Sequence, residues 1–276
     1  MNELLKSNAV LRDIVLDVTK IADYLWQAGW AERNAGNITV RVDEVVHDQP
    51  SDLGHFPEFP LHDHYPELSN LYFLVTGTGK RMRDLARDPL KNAAIIKLTS
   101  GGRAYQIICD SDTEICDFRP TSELPTHLGI HQLIANRRSE ERIIIHTHPT
   151  ELIALTQIEE FSHEKNLNSI LYGMHPETIL VIPDGVGLVS YELPGTWRIA
   201  SNTVAKFDHH AVVMWEKHGC LAIGRDIQET FDMIDVLVKA AKIYFQVKSA
   251  GYTPQGLTEQ QLTDLRKNYG LDDTNY

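Results

Sequence analysis

Residues 142–153 read "RIIIHTHPTELI". Ile143, Ile144 and Ile145 lead into His146, Thr147 and His148, and Pro149 follows at once. β-Branched residues suit the pleated backbone, and unbroken apolarity marks a strand covered on both faces. Side chains alternate along a strand, so His146 and His148 face the same side, about 6.6 Å apart along the backbone. A central strand cannot run through Pro149, so both imidazoles lie at its carboxyl end, where open α/β sheets bind ligands. Such a pair suits a shared metal ion. For an isolated H-x-H, hydrogen-bonded polar residues at a strand end are the plainer reading, so the rest of the chain must decide.

The chain has 276 residues, 42% hydrophobic and 23% charged, which suits one large globular domain over residues 1–276. A net charge of −12 argues against nucleic acid or an anionic membrane as partner, although local donors can still hold a small anion. Cys109, Cys116 and Cys220 form no C-x-x-C pair and suggest no disulfide framework. Glu3, Asp13 and Asp17 leave no secretory apolar segment, and no apolar run approaches the ~18 residues of a membrane helix. These features lead to the expectation of a cytoplasmic protein.

Apolar residues from Leu11 to Leu25 recur at helical spacing before Gly29, an N-terminal helical segment over about 1–30. "RNAGNITVRV" reads as a polar turn feeding a strand. Residues 44–70, rich in proline and histidine, read as a long excursion. "LYFLVTGTGK", "AAIIKLT" and "AYQIIC" are strands, and "SELPTHLGIHQLIANRR" is a helix capped by Ser122. Thr150 to Gln157 form a short helix, "ETILVIPDGVGLV" holds a strand and a turn, and "TWRIASNTVAKF" is a helix. "AVVMWEKHGCLAIG" folds as a strand pair about Glu216 to Gly219. A long helix from Asp226 to Ser249 and a short terminal one complete the chain. Strand pairs and helices mix without strict alternation, so the fold class is α/β with a mostly antiparallel sheet and covering helices.

His218 lies at a glycine turn between two apolar strands; beside His146 and His148 it completes a three-imidazole set that leaves one zinc position open for catalysis. Glu123, at a predicted helix start, reads equally as a macrodipole-favoured acid and as a general acid/base. "NAGN" (34–37) and "TGTGK" (76–80) are short loops of the kind that cradle anions, though the second lacks the Walker A spacing. His127 and His131 are four apart on a helix, but no Glu follows His127, so they are not an H-E-x-x-H site. His62 and His64 belong to the excursion and are expected in solvent. His209 and His210 suit a helix C-terminus. The Cys220 side chain is expected to turn away from His218.

Taken together, "ERNAGNITVR", "VTGTGK", "PTSELPTHL", "IIIHTHPTELIALT", "IPDGVG" and "KHGCLAIG" resemble the class II aldolase/adducin family, in its motif order, from about residue 10 to 250. The resemblance implies a three-layer α/β/α domain and a homotetramer with sites near subunit interfaces. It implies one Zn2+ per subunit on His146, His148 and His218, with Glu123 as the proton-shuttling acid. It implies phosphate contacts from Asn34, Asn37, Thr78, Gly79 and Ser122, and a second acid/base at Glu177. Thr78 replaces the more common serine, and "LYGMHP" before Glu177 departs from the family pattern. The implied substrate is a phosphorylated ketose cleaved between C3 and C4, with zinc as Lewis acid and no Schiff-base lysine. Length, the excursion and "HPETILVIPDGVG" favour L-rhamnulose 1-phosphate over L-fuculose 1-phosphate. Pentulose-phosphate 4-epimerisation and adducin-like binding without catalysis are the other family outcomes. The full three-His and Glu123 set argues against the last.

Overall fold

The histidine-bearing strand lies inside a nine-stranded sheet of order β2-β5-β4-β3-β1-β6-β9-β8-β7. The strands are β1 (Asn37–Arg41), β2 (Glu58–Pro60), β3 (Tyr72–Thr76), β4 (Ala93–Leu98), β5 (Ala104–Ile108), β6 (Ile143–Thr147), β7 (Val186–Val189), β8 (Val212–Trp215) and β9 (Gly219–Gly224). All pairings are antiparallel except β7 with β8. This computed structural model describes residues 2–46, 56–108 and 117–271. Cys109, Cys116 and residues 47–55 of the expected excursion lie outside them.

The three layers follow from the alternation of β6. Ile143 and Ile145 enter the apolar cluster under helices Ala9–Gln27, Glu164–Met174 and Ile227–Ser249. Ile144 enters the opposite cluster with Val213, Leu221 and residues of helices Leu124–Arg137 and Trp197–Lys206. Both faces are thus covered, as continuous apolarity requires. Asp226 and Thr258 accept backbone N–H groups as N-caps, the latter in a capping box. The Cys220 thiol points into the first cluster, where burial pushes its pKa up to about 12. Among the described residues no helix is long and apolar enough to cross a membrane.

Four readings change. The stretch before "PDG" is a helix, Pro176–Val181: Pro176 occupies its first turn, and Thr178, Ile179 and Ile182 share its buried side. The strand of that motif is β7, after the turn. Glu164–Met174 is a further helix that the apolar pattern did not separate from its neighbours. Part of the excursion pairs as β2 along the outer edge of β5. Ser122 does not cap its helix: Glu123 is the N-cap residue, and the Thr121 hydroxyl accepts the Glu123 N–H at 3.3 Å.

Candidate active site

Because β1 and β9 run antiparallel to β6, and β3 runs parallel to it, four loops meet at one edge of the sheet. They are the entry to β1, the exits of β3 and β6, and the β8–β9 turn. Thr76 and Thr78 extend this edge through backbone bonds to Thr121 and Arg119, which brings the start of helix Leu124–Arg137 alongside. The result is a cavity of about 160 Å3 lined by the "NAGN" and "TGTGK" loops, Thr121, Ser122, Glu123, His146, His148 and His218.

Each histidine is placed by backbone contacts. His148 N–H and the Thr147 hydroxyl both donate to the Trp30 carbonyl, at 2.8 and 2.7 Å, pinning the end of β6 to the segment after the first long helix. The β8–β9 turn is held by Lys217 N–H on the Thr156 hydroxyl and His218 N–H on the Trp215 carbonyl. Gly219 is required there, since a Cβ would stand 2.4 Å from the Thr147 carbonyl. His146, His148 and His218 present ligand atoms all within 4.8 Å of one another.

The proton inventory of this cluster leaves a place for a cation. His146 Nδ1 lies 2.9 Å from the Cys220 carbonyl, which can only accept, so Nδ1 carries the proton. His148 Nδ1 lies 3.0 Å from the Glu32 carboxylate, which imposes the same tautomer. Two Nε2 lone pairs then face each other at 3.1 Å. Nitrogens on a tetrahedral zinc with bonds of about 2.0–2.1 Å stand about 3.3 Å apart. Burial first, then the charges of His148 and His218, drives the His146 pKa well below its ordinary value, which disfavours a second proton on that ring. Burial and His148 also lower the pKa of His218, whose buried Nδ1 has no hydrogen-bond partner among the described residues. Three imidazoles with ligand atoms this close, two of them with Nε2 atoms turned toward each other, fit a divalent metal.

Glu123 stands over this cluster, with Oε2 3.5 Å from His146 Nε2 and 2.8 Å from the Asn37 amide nitrogen that donates to it. Asn34, Asn37, Thr78, Gly79 and Ser122 line the same cavity. Gly79 has φ +69° and open space where a side chain would stand, as a loop that admits an anion needs. Of the ten residues singled out in the sequence, Glu177 alone is absent from this lining. It sits at the start of helix Pro176–Val181, half-exposed, 3.1 Å from His175 Nε2. Sequence reasoning missed Glu32, which orients His148, and the contact of Asn37 with His127. The acid two residues after the buried Trp30 was a weak signal for the first, and nothing local signals the second.

Three imidazoles under one carboxylate, beside two glycine-containing loops, form this edge-of-sheet site. The chain belongs to the class II aldolase and adducin family, whose class II aldolase and adducin N-terminal domain matches residues 17–245. Rhamnulose-1-phosphate aldolase of Bacteroides thetaiotaomicron is 39% identical over 98% of this chain and 99% of its own length. A sugar-phosphate aldolase from Thermotoga maritima superposes with a TM-score of 0.73 at 33% identity, over 89% of this chain and 99% of that one. An L-fuculose 1-phosphate aldolase shares the fold at TM-score 0.61 and 19% identity, over 94% and 96% of the two chains. The α/β architecture and the metal-dependent aldolase class read from the sequence are borne out.

Proposed function

We propose that this protein is an aldehyde-lyase that cleaves L-rhamnulose 1-phosphate to dihydroxyacetone phosphate and L-lactaldehyde, with one Zn2+ on His146, His148 and His218. The observation that carries the proposal is the set of inward Nε2 lone pairs on His146 and His148 beneath Glu123. The name of the Bacteroides relative supports the choice of sugar. The metal, when bound, supplies Lewis-acid stabilisation of the negative charge that develops beside the substrate carbonyl. Glu123, standing 3.5 Å from His146 Nε2, would carry a proton when substrate is bound and deliver it to C3 as the C3–C4 bond breaks.

Asn34, Asn37, Thr78, Gly79 and Ser122 hold the phosphate, and with it the orientation of the reacting bond. Asn37 lies between the rest of that cradle and Glu123, with both ends of its amide engaged. Glu177 takes the C4 hydroxyl proton. Since it lies outside the cavity of its own chain, it serves the site of an adjacent copy in a homotetramer. Exposed Trp197 lines a second cavity that also touches Ser122, and Tyr191 and Leu193 just before it in the chain are exposed as well, which supports self-association near the site. Residues 1–276 act as one domain, in the cytoplasm, where scattered thiols such as Cys220 stay reduced.

The test is release of dihydroxyacetone phosphate from L-rhamnulose 1-phosphate, followed with a coupled dehydrogenase, with L-fuculose 1-phosphate in parallel. Faster release from the rhamnulose substrate is expected. Release from the fuculose substrate alone would overturn the sugar, and release from neither would overturn the aldolase reading.

A further inference from the structure

The histidine pair His127 and His131 takes no part in the metal cluster, yet both rings are buried on the face that carries Glu123. In β1, Asn37 and Thr39 are two apart and pair with His146 and Ile144, so they point to the same face. His127 and His131 are four apart on the helix above. The two periodicities meet. The His127 ring reaches the Asn37 carbonyl oxygen through Nε2 and the Thr39 hydroxyl through Nδ1 at 2.9 Å. His131 Nε2 reaches the same hydroxyl at 2.9 Å. A polar seam thus crosses a layer otherwise filled by the apolar clusters around Leu128 and Ile130.

Every proton in the seam has one possible place. The Glu123 carboxylate only accepts, so the Asn37 amide turns its NH2 toward it, at 2.8 Å. The Asn37 oxygen is then left toward His127 and needs a donor, so His127 carries its proton on Nε2. Burial above all holds the His127 pKa down to about 3, so the ring is neutral and its Nδ1 accepts from the Thr39 hydroxyl. Having donated, that oxygen accepts from His131 Nε2–H. The His131 Nδ1 left at the end is buried and unpartnered among the described residues, as a neutral terminal acceptor can be.

We propose that Thr39 and His127 are positioning residues that lock the Asn37 amide in the orientation that donates to Glu123. This rests on the reading of Glu123 as the proton-transferring carboxylate. One N–H of the Asn37 amide serves the carboxylate, and the second remains available to the substrate phosphate. Without the Thr39 hydroxyl, His127 is free to carry its proton on Nδ1. Its Nε2 then no longer donates to the Asn37 oxygen, and the amide is held only by its bond to the carboxylate.

Two measurements decide it. Neutron diffraction of the deuterated zinc protein should place deuterium on His127 Nε2 and on the Thr39 hydroxyl toward Nδ1. Deuterium on Nδ1 overturns the proposal, and this readout requires neither a variant nor activity. In solution, Thr39→Val should retain zinc and leave KM within about two-fold while lowering kcat about 10-fold, and Thr39→Ser should restore kcat. Wild-type kcat in Thr39→Val, or an equal loss in Thr39→Ser, overturns it. A wild-type protein that cleaves no ketose phosphate would instead contradict the catalytic reading of Glu123, with the deuterium positions still deciding the seam.

Discussion

Two histidine groups lie on either side of Asn37 and Glu123; His127, His131 and His146 are buried and His148 and His218 partly so, but the groups are opposite in their protons. In the pair His127 and His131, each ring nitrogen that meets a neighbour has a donor facing an acceptor. In the triad, His146 and His148 spend their protons on Cys220 and Glu32 and turn bare nitrogens toward each other. Burial lowers the pKa of His127, His131 and His146 alike, so burial does not tell a ligand from a structural histidine. The direction of the second nitrogen's hydrogen bond does. A carbonyl or carboxylate behind the ring leaves a lone pair in front, and only a cation satisfies several such lone pairs at once.

Substitutions can break this contrast. His146→Ala should abolish both bound metal and aldol cleavage, measured by atomic absorption and dihydroxyacetone phosphate release. Metal retained at one ion per chain would erase the distinction. Glu123→Gln should keep the metal and lower kcat by about 10²- to 10⁴-fold, the range for a positioned general acid/base. Glu32→Ala should weaken metal affinity by about 10- to 100-fold while leaving the fold intact, because His148 loses the partner that fixes its tautomer. On the other side, His131→Leu should leave metal content untouched and cost about 1–3 kcal/mol in denaturant unfolding, since the Thr39 hydroxyl loses a buried donor.

The smallest expected effect concerns a third histidine neighbourhood. Burial would raise the Glu164 carboxyl, but hydrogen bonds from His210, Lys206 and the Leu188 amide, with the Lys206 charge, hold it down to about 2. A carboxyl depressed from 4.5 in the unfolded chain contributes stability above about pH 4.5, and loses it as pH falls toward 2. Glu164→Gln should therefore flatten the stability profile in that window and leave metal binding unchanged. An unaltered acid profile would show that Glu164 is not the group responsible.

Much of the metal triad was legible because its signals are local. A β-branched run, an alternating His pair, a proline stop and a glycine turn each fix a backbone geometry within a few residues. The helix Pro176–Val181 was not, because a short apolar run fits a buried strand and a helix side equally, and Pro176 at the first turn is the only local discriminator. Ser122 looked like the cap because serine favours that place, yet Glu123 holds the N-cap position without a side-chain cap bond, its own N–H donating to the Thr121 hydroxyl. The Asn37–His127 contact spans ninety residues, and neither residue carries a mark of the other. Judged as a metalloprotease motif, the His127 and His131 spacing fails; as the helical half of a seam under β1, it fits.

Cleavage of a phosphorylated ketose by this protein is expected to require a metal held by His146, His148 and His218. The most direct measurement strips the protein with chelator and titrates zinc back, following bound metal and dihydroxyacetone phosphate release from L-rhamnulose 1-phosphate together. Activity should rise in proportion to zinc and level off at one ion per chain. Full activity in the stripped protein, or zinc binding that restores none, would contradict that expectation.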